Sequence, residues 1–276
     1  MAEYYFDSED GLKLFARVYP AAAGAPVVLC LHGLTRNSRD FEDLARHLAT
    51  RYRVIVPDVR GRGLSARDPH WQNYQIPVYV RDLLALLDGL GAARVAVIGT
   101  SMGGLMAMVL ALMHPGLVTR MVLNDVGPEV EAAGLARLRG YVGKAAAMAS
   151  WDEAVAQVRA MYEIAWPGLS AARWQELARL SYRADAHGVL QPDADPLIAE
   201  PLRAAAPPEL WSYWPGLARV PILALRGAHS DVLGAATLAR MQREHPQLIA
   251  VTVANRGHPP LLDEPQCRAA IDAFLD

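Results

Sequence analysis

The stretch AVIGTSMGGLMAMVLALMHPG, residues 96–116, places one serine, Ser101, between Gly99 and Gly103. Glycine and serine are ordinary turn residues, so a G-x-S-x-G string alone carries little weight. Its flanks carry more. The apolar run 95–98 reads as a strand, and residues 102–113 read as an apolar helix closed by His114 and Pro115. A serine on a strand-to-helix turn sits in strained backbone, where side chains at positions 99 and 103 would collide with the neighbouring strand or helix. Such a turn presents the hydroxyl at the C-terminal end of the strand.

Outward from this turn, short apolar runs recur at residues 26–31, 54–56, 121–123, 222–225 and 248–253, each bounded by turn signals. Runs apolar on both faces fit strands of a parallel sheet covered by helices on each side. Residues 4–6 and 12–19 add two strands around Asp10-Gly11. Helical patterns alternate with them: Phe41, Leu44, Ala45 and Leu48 share one face, as do Leu83, Leu86, Leu87 and Leu90. The alternation predicts an α/β fold with a doubly wound, mostly parallel sheet.

The rhythm breaks after Leu123. Residues 127–215 contain amphipathic helices and no convincing strand, as in the face built by Trp151, Ala154, Val155, Val158, Met161 and Tyr162. A helical block between two strands reads as a lid over one edge of the sheet, dividing the chain into core 1–127, cap 128–215 and core 216–276. The alanine patches 21–23 and 204–206 read as loops or linkers.

A chain of 276 residues accommodates one large domain with an insertion, and a net charge of −2 gives no reason to expect nucleic acid or an anionic membrane as partner. The expected partner is a small molecule, and the expected state a monomer or small homo-oligomer. Cys30 and Cys267 make no disulfide framework, and the acidic N-terminus lacks the features of a secretory signal. A cytoplasmic location is the expectation. No histidine and carboxylate spacing indicates a metal site, and no cofactor is expected.

A hydroxyl is a poor nucleophile near neutral pH and needs a base, which in turn needs an orienting partner. His258, in a loop after the last apolar run, stands where the chain order serine, acid, histidine puts the base. Asp231 in LRGAHSDVL and Asp125 in MVLNDVGP both follow strands and both satisfy that order. Their ordinary structural roles would be a helix N-cap and a turn residue. An oxyanion needs two N–H donors: Met102 offers one at a helix N-terminus, and Gly33 lets the loop turn so that the Leu34 amide faces the serine.

The motifs CLHGLTRNSRDFEDLA, VIVPDVRGRGLS, VIGTSMGGLMAM, LNDVGPE, LRGAHSDVL and RGHPPLLDEP, in this order over essentially the whole chain, resemble the α/β-hydrolase superfamily in its cap-bearing branch. The resemblance implies an eight-stranded sheet with a cap after the sixth strand, Ser101 as nucleophile, His258 as base, and the Leu34 and Met102 amides as oxyanion hole. The family's usual acid position corresponds to Asp231, and a minority of members place it where Asp125 stands. Arg60 and Arg62 are expected to be tied to carboxylates, and His32 to hold the oxyanion loop. His32, Gly33, Trp166 and Trp214 are expected to border the substrate. About a third of the cap aromatics, Tyr141, Trp151, Tyr162, Trp166, Trp174, Tyr182, Trp211, Tyr213 and Trp214, should face the pocket.

A serine at the elbow sets the chain apart from dehalogenases and epoxide hydrolases, which use aspartate there. The implied reaction is hydrolysis of a small, hydrophobic or aromatic carboxylic ester or lactone through an acyl-enzyme. Rival readings are cleavage of carbon-carbon bonds in ring-cleavage products, whose enzymes usually carry a glycine-rich oxyanion loop that HGLTRNS lacks after Gly33, and acyl transfer or perhydrolysis with the same triad. A receptor on the same fold is the non-enzymatic alternative.

Overall fold

Each apolar run becomes a strand in the computed structural model, which describes residues 1–205 and 209–276. The chain opens with β1 (Ala2–Asp7) and β2 (Lys13–Tyr19), an antiparallel hairpin. Strand and helix then alternate through β3 (Val27–Leu31), α1 (Glu42–Leu48), β4 (Arg53–Asp58), α2 (Ile76–Gly89), β5 (Val95–Thr100), α3 (Met102–Met113) and β6 (Val118–Asn124). The insertion follows, with α4 (Ala132–Tyr141), α5 (Trp151–Tyr162), α6 (Ala171–Ser181), β7 (Tyr182–Ala184), β8 (Leu190–Pro192) and α7 (Glu200–Ala204). The chain closes with β9 (Ile222–Gly227), α8 (Ala235–Glu244), β10 (Leu248–Val253) and α9 (Pro265–Leu275).

Eight strands form one sheet in the order β1-β2-β4-β3-β5-β6-β9-β10. The pairings are parallel from β4 to β10 and antiparallel where β2 meets β1 and β4. One face carries a core with Leu83, Leu86, Met106 and Leu110 of α2 and α3; the other packs Leu44 and Leu48 of α1 and Ile271 of α9. Burial on both faces explains why the central strands read as continuous apolar runs.

The insertion is less purely helical than its sequence implies. β7 and β8 pair antiparallel, Tyr182 opposite Pro192 and Ala184 opposite Leu190. Three residues per strand are too few for an alternating pattern to show. The insertion has an apolar cluster of its own, in which Val158, Trp166, Trp174, Leu177, Tyr182 and Leu190 meet. Of the alanine patch 204–206, Ala204 ends α7, whereas Ala206 lies outside the described residues.

The site is positioned by the close seating of α3 on the sheet. A Cβ at Gly103 would lie 2.1 Å from the Leu31 carbonyl oxygen of β3, and one at Gly99 would lie 2.4 Å from the Gly103 carbonyl oxygen. Backbone on both sides leaves no flexible group to give way. Gly103→Ala is therefore expected to lower stability by about 3 kcal/mol, through overpacking at a rigid contact. Chemical denaturation measures it, and a loss under about 0.5 kcal/mol, the range of ordinary surface changes, would contradict this account.

Candidate active site

β5 delivers Ser101 to the turn before α3, where its backbone takes φ 51° and ψ −114°. A non-glycine residue at positive φ costs on the order of 1–3 kcal/mol, so the surrounding contacts must enforce it. The next strand, β6, ends at Asn124, and Asp125 turns immediately at φ 61°. His258 arrives from the loop after β10. These three side chains form one hydrogen-bonded series: Ser101 Oγ to His258 Nε2 is 2.8 Å, and His258 Nδ1 to Asp125 Oδ2 is 2.8 Å.

The surroundings of Asp125 assign the protons along this series. Its Oδ1 accepts the Gly227 N–H at 2.8 Å, and its Oδ2 accepts the Ser230 hydroxyl at 2.6 Å. Ser230 Oγ itself accepts the N–H groups of Val232 and Leu233, at 3.2 and 3.0 Å, so its own proton is left for Asp125. A carboxylate accepting from three donors keeps the proton on His258 Nδ1 and leaves Nε2 free to accept from Ser101.

The expectation that Asp231 partners His258 is corrected by this geometry. Arg137 of α4 holds the Asp231 carboxylate with two bonds, Nε to Oδ2 at 2.6 Å and Nη2 to Oδ1 at 2.8 Å. Burial opposes ionisation of Asp231, but the Arg137 hydrogen bonds and charge hold its carboxyl below the usual range. It is turned toward the insertion, and Asp125, the alternative acid, occupies the place beside His258. Ser230, whose hydroxyl completes this arrangement, was not singled out from the sequence, because nothing in GAHSDV separates it from any loop serine.

The loop after β3 is fixed by a second proton assignment. Val59 N–H donates to His32 Nε2 at 3.0 Å, so Nδ1 carries the proton and donates to the Gly33 carbonyl at 2.8 Å. In a trans peptide the carbonyl and the following N–H point opposite ways. Holding the Gly33 carbonyl therefore orients the Leu34 N–H. Among the described residues, neither the Leu34 nor the Met102 amide is taken by a backbone carbonyl or a side chain. Burial pushes the His32 imidazole down to about 4, so the neutral form prevails near neutral pH.

Arg60 matches its expected role, bonding Asp10, Asp68 and Asp82. Arg62 does not. It is buried between the Tyr74 and Tyr79 rings and donates to the carbonyls of Leu34 and Arg60 and to the Tyr79 hydroxyl. Its neighbours are rings and carbonyls in place of carboxylates, and its Leu34 bond at 2.9 Å braces the same loop as His32.

Two cavities meet at Ser101. The smaller, about 80 Å³, is bordered by His32, Gly33, Thr100, His258 and Pro259, with Tyr141, Tyr162 and Trp166 from the insertion. Trp166 is fastened to the histidine loop, its Nε1 donating to the Pro259 carbonyl at 2.6 Å. The larger, about 420 Å³, runs along Met102, Leu105 and Val109 of α3. Trp214 borders neither and is corrected as a substrate contact. It is 1% exposed, packed on Trp211 and His245 in the core that holds α3, where the chain returns to β9.

A sequence model of the alpha/beta hydrolase fold family matches residues 26–265. The chain is similar to the crystal structure of an alpha/beta hydrolase from Novosphingobium aromaticivorans, at 42% identity and a TM-score of 0.94, covering 99% of this chain and 97% of that one. It is also similar to a 3-hydroxybutyrate-oligomer hydrolase of Cupriavidus necator, 33% identical over 92% of this chain and 89% of the relative. A 2-(acetamidomethylene)succinate hydrolase of Mesorhizobium japonicum is 28% identical over 84% of this chain and 81% of its own length.

His32 has a consequence for stability. An unfolded histidine titrates near 6.5, above the folded value of about 4, so between these pH values the unfolded chain binds the extra proton. The contribution is complete above pH 6.5 and is lost as pH falls through the folded value, by about 3 kcal/mol. Urea denaturation at pH 7 and pH 4.5 is expected to show a steeper loss for the wild type than for His32→Asn. Parallel losses would contradict the assignment.

Proposed function

Because the chain belongs to the α/β-hydrolase fold family, we propose that it is a serine hydrolase cleaving a carboxylic ester or lactone through an acyl-enzyme. The observation that carries this reading is the continuous series Ser101–His258–Asp125, with both contacts at 2.8 Å and the protons assigned by Ser230 and Gly227. The Leu34 and Met102 amides, without an acceptor among the described residues, support it.

In this mechanism Ser101 Oγ attacks the substrate carbonyl carbon as His258 Nε2 takes its proton. The carbonyl oxygen becomes an oxyanion and receives the Leu34 and Met102 N–H groups. The Asp125 carboxylate, 2.8 Å from Nδ1, stabilises the imidazolium that forms. Collapse of the intermediate breaks the bond to the alkoxy group, which leaves with the proton from His258. Water then repeats the sequence on the acyl-enzyme, releasing the acid and restoring Ser101. His32 and Arg62 act on this chemistry only through the loop they hold.

The relatives favour an ester. Oligomers of a hydroxy acid are joined by ester bonds, so the 3-hydroxybutyrate-oligomer hydrolase supports carboxylic ester chemistry on this scaffold. Serine at the elbow supports an acyl-enzyme made through a hydroxyl. The small cavity beside His258 and the apolar one beside Met102 support a small-molecule substrate.

Turnover of p-nitrophenyl butyrate is expected for the wild type and lost in Ser101→Ala, and a fluorophosphonate should label Ser101. Labelling without turnover of any ester would favour a binding role. Asp125→Asn is expected to lower kcat by about 10³–10⁴-fold with little change in KM, as loss of an acid that orients the base does. Asp231→Asn should stay within about threefold of wild type, an effect under roughly 0.7 kcal/mol. The reverse ranking would sink the acid assignment.

A further inference from the structure

The two cavities at Ser101 differ in size, chemistry and neighbours. The larger is about 420 Å³ and the smaller about 80 Å³, a ratio of roughly five. Pockets that bury whole drug-sized ligands span roughly 300–1,000 Å³, so only the larger can take the bulk of a substrate. His258 borders the smaller cavity and not the larger, whereas Met102 borders the larger and not the smaller.

That distribution orients the substrate. A general acid must lie within hydrogen-bond reach of the oxygen it protonates, so the leaving alkoxy group belongs on the His258 side. With the carbonyl oxygen at the Leu34 and Met102 amides, the remaining substituent of the carbonyl carbon, its acid portion, extends into the larger chamber.

The chamber wall states what that portion is made of. Leu105, Val109, Val126, Leu135, Ile198 and Leu210 dominate it. The Tyr74 hydroxyl on its wall donates to Asp195 and accepts the Asp68 N–H, and the Tyr79 oxygen accepts from Arg62, which leaves the Tyr79 proton as the one hydroxyl donor this wall can offer among the described residues. Gln75 stands at an exposed position. Among the described residues, a hydroxyl or carboxylate carried deep into the chamber would leave water for little more than that single donor, too few partners to replace its hydration. We infer that the substrate is an ester of a medium-chain, apolar carboxylic acid with a short alcohol, the acid in the chamber and the alcohol beside His258. The inference rests on the serine hydrolase reading and differs from the hydroxy acid named for the Cupriavidus relative.

Methyl octanoate and heptyl acetate are isomers with the long chain on opposite sides of the ester, which makes them the test. For the wild type, kcat/KM is expected to be at least tenfold higher for methyl octanoate, and to rise about three- to fourfold per methylene from butanoate to octanoate methyl esters. Methyl 3-hydroxyoctanoate should be roughly tenfold slower than methyl octanoate, the cost of an unpaired buried hydroxyl. Val109→Phe, from the α3 side, and Leu135→Trp, from the α4 side, should each reduce the preference for methyl octanoate over heptyl acetate at least tenfold. Two variants on different helices guard against one failing to fold.

Equal or faster turnover of heptyl acetate or of the 3-hydroxy ester overturns the inference, as does an unchanged preference in both variants. If p-nitrophenyl acetate is hydrolysed while neither isomer is, the inference fails and the hydrolase reading stands. If no ester is turned over, both fail.

Discussion

One buried carboxylate organises the reactive edge of the sheet. Asp125 is fully buried, yet it accepts hydrogen bonds from Gly227 at the end of β9, from Ser230 in the next loop, and from His258 after β10. A buried charge is tolerated only when paired and hydrogen-bonded, so these segments are not free to choose their positions independently. The loops after β9 and β10 converge on the end of β6 because that is where the negative charge is. The histidine then faces Ser101 as a consequence of where its other nitrogen is held.

The loop after β3 obeys the same logic, with its backbone carbonyls as the groups held. His32 is fully buried, takes a backbone N–H on one nitrogen and gives a proton to a carbonyl on the other. Arg62 closes the next carbonyl in the loop. Two peptide planes are thereby set by the side chains of His32 and Arg62. In the proposed mechanism this orientation is supplied before substrate arrives, the condition under which backbone dipoles stabilise developing charge at low reorganisation cost.

Much of this was legible in the chain because it is local. The central strands are short apolar runs, α3 is apolar around its circumference, and Gly99 and Gly103 mark the contact of turn and helix with backbone. The choice between Asp125 and Asp231 was not local. Both follow strands that end at the same edge, and what separates them is the backbone turn at Asp125 and the capture of Asp231 by Arg137, which is 94 residues away. The β7–β8 ribbon leaves no mark in the sequence because each of its strands is too short to have a period. Trp214 looked like a cap residue by position, but the chain has already returned to the main core there. Arg62 carries the same charge as Arg60 two residues earlier, and only the folded environment gives one of them carboxylates and the other aromatic rings.

The anchorage of α4 limits how this molecule can breathe. Glu131 N–H, just before the helix, donates to the Val232 carbonyl at 3.0 Å, Gly134 lies against the Asp231 backbone, and Arg137 clasps the Asp231 side chain. The loop so gripped is the one that presents Ser230 to Asp125. α4 is therefore tied to that loop at three points, so displacing the helix outward would break a backbone bond, a close contact and an ion pair together. The first helix of the insertion is in this sense a buttress of the sheet's own loop, joined to it by backbone, by close packing and by charge at once.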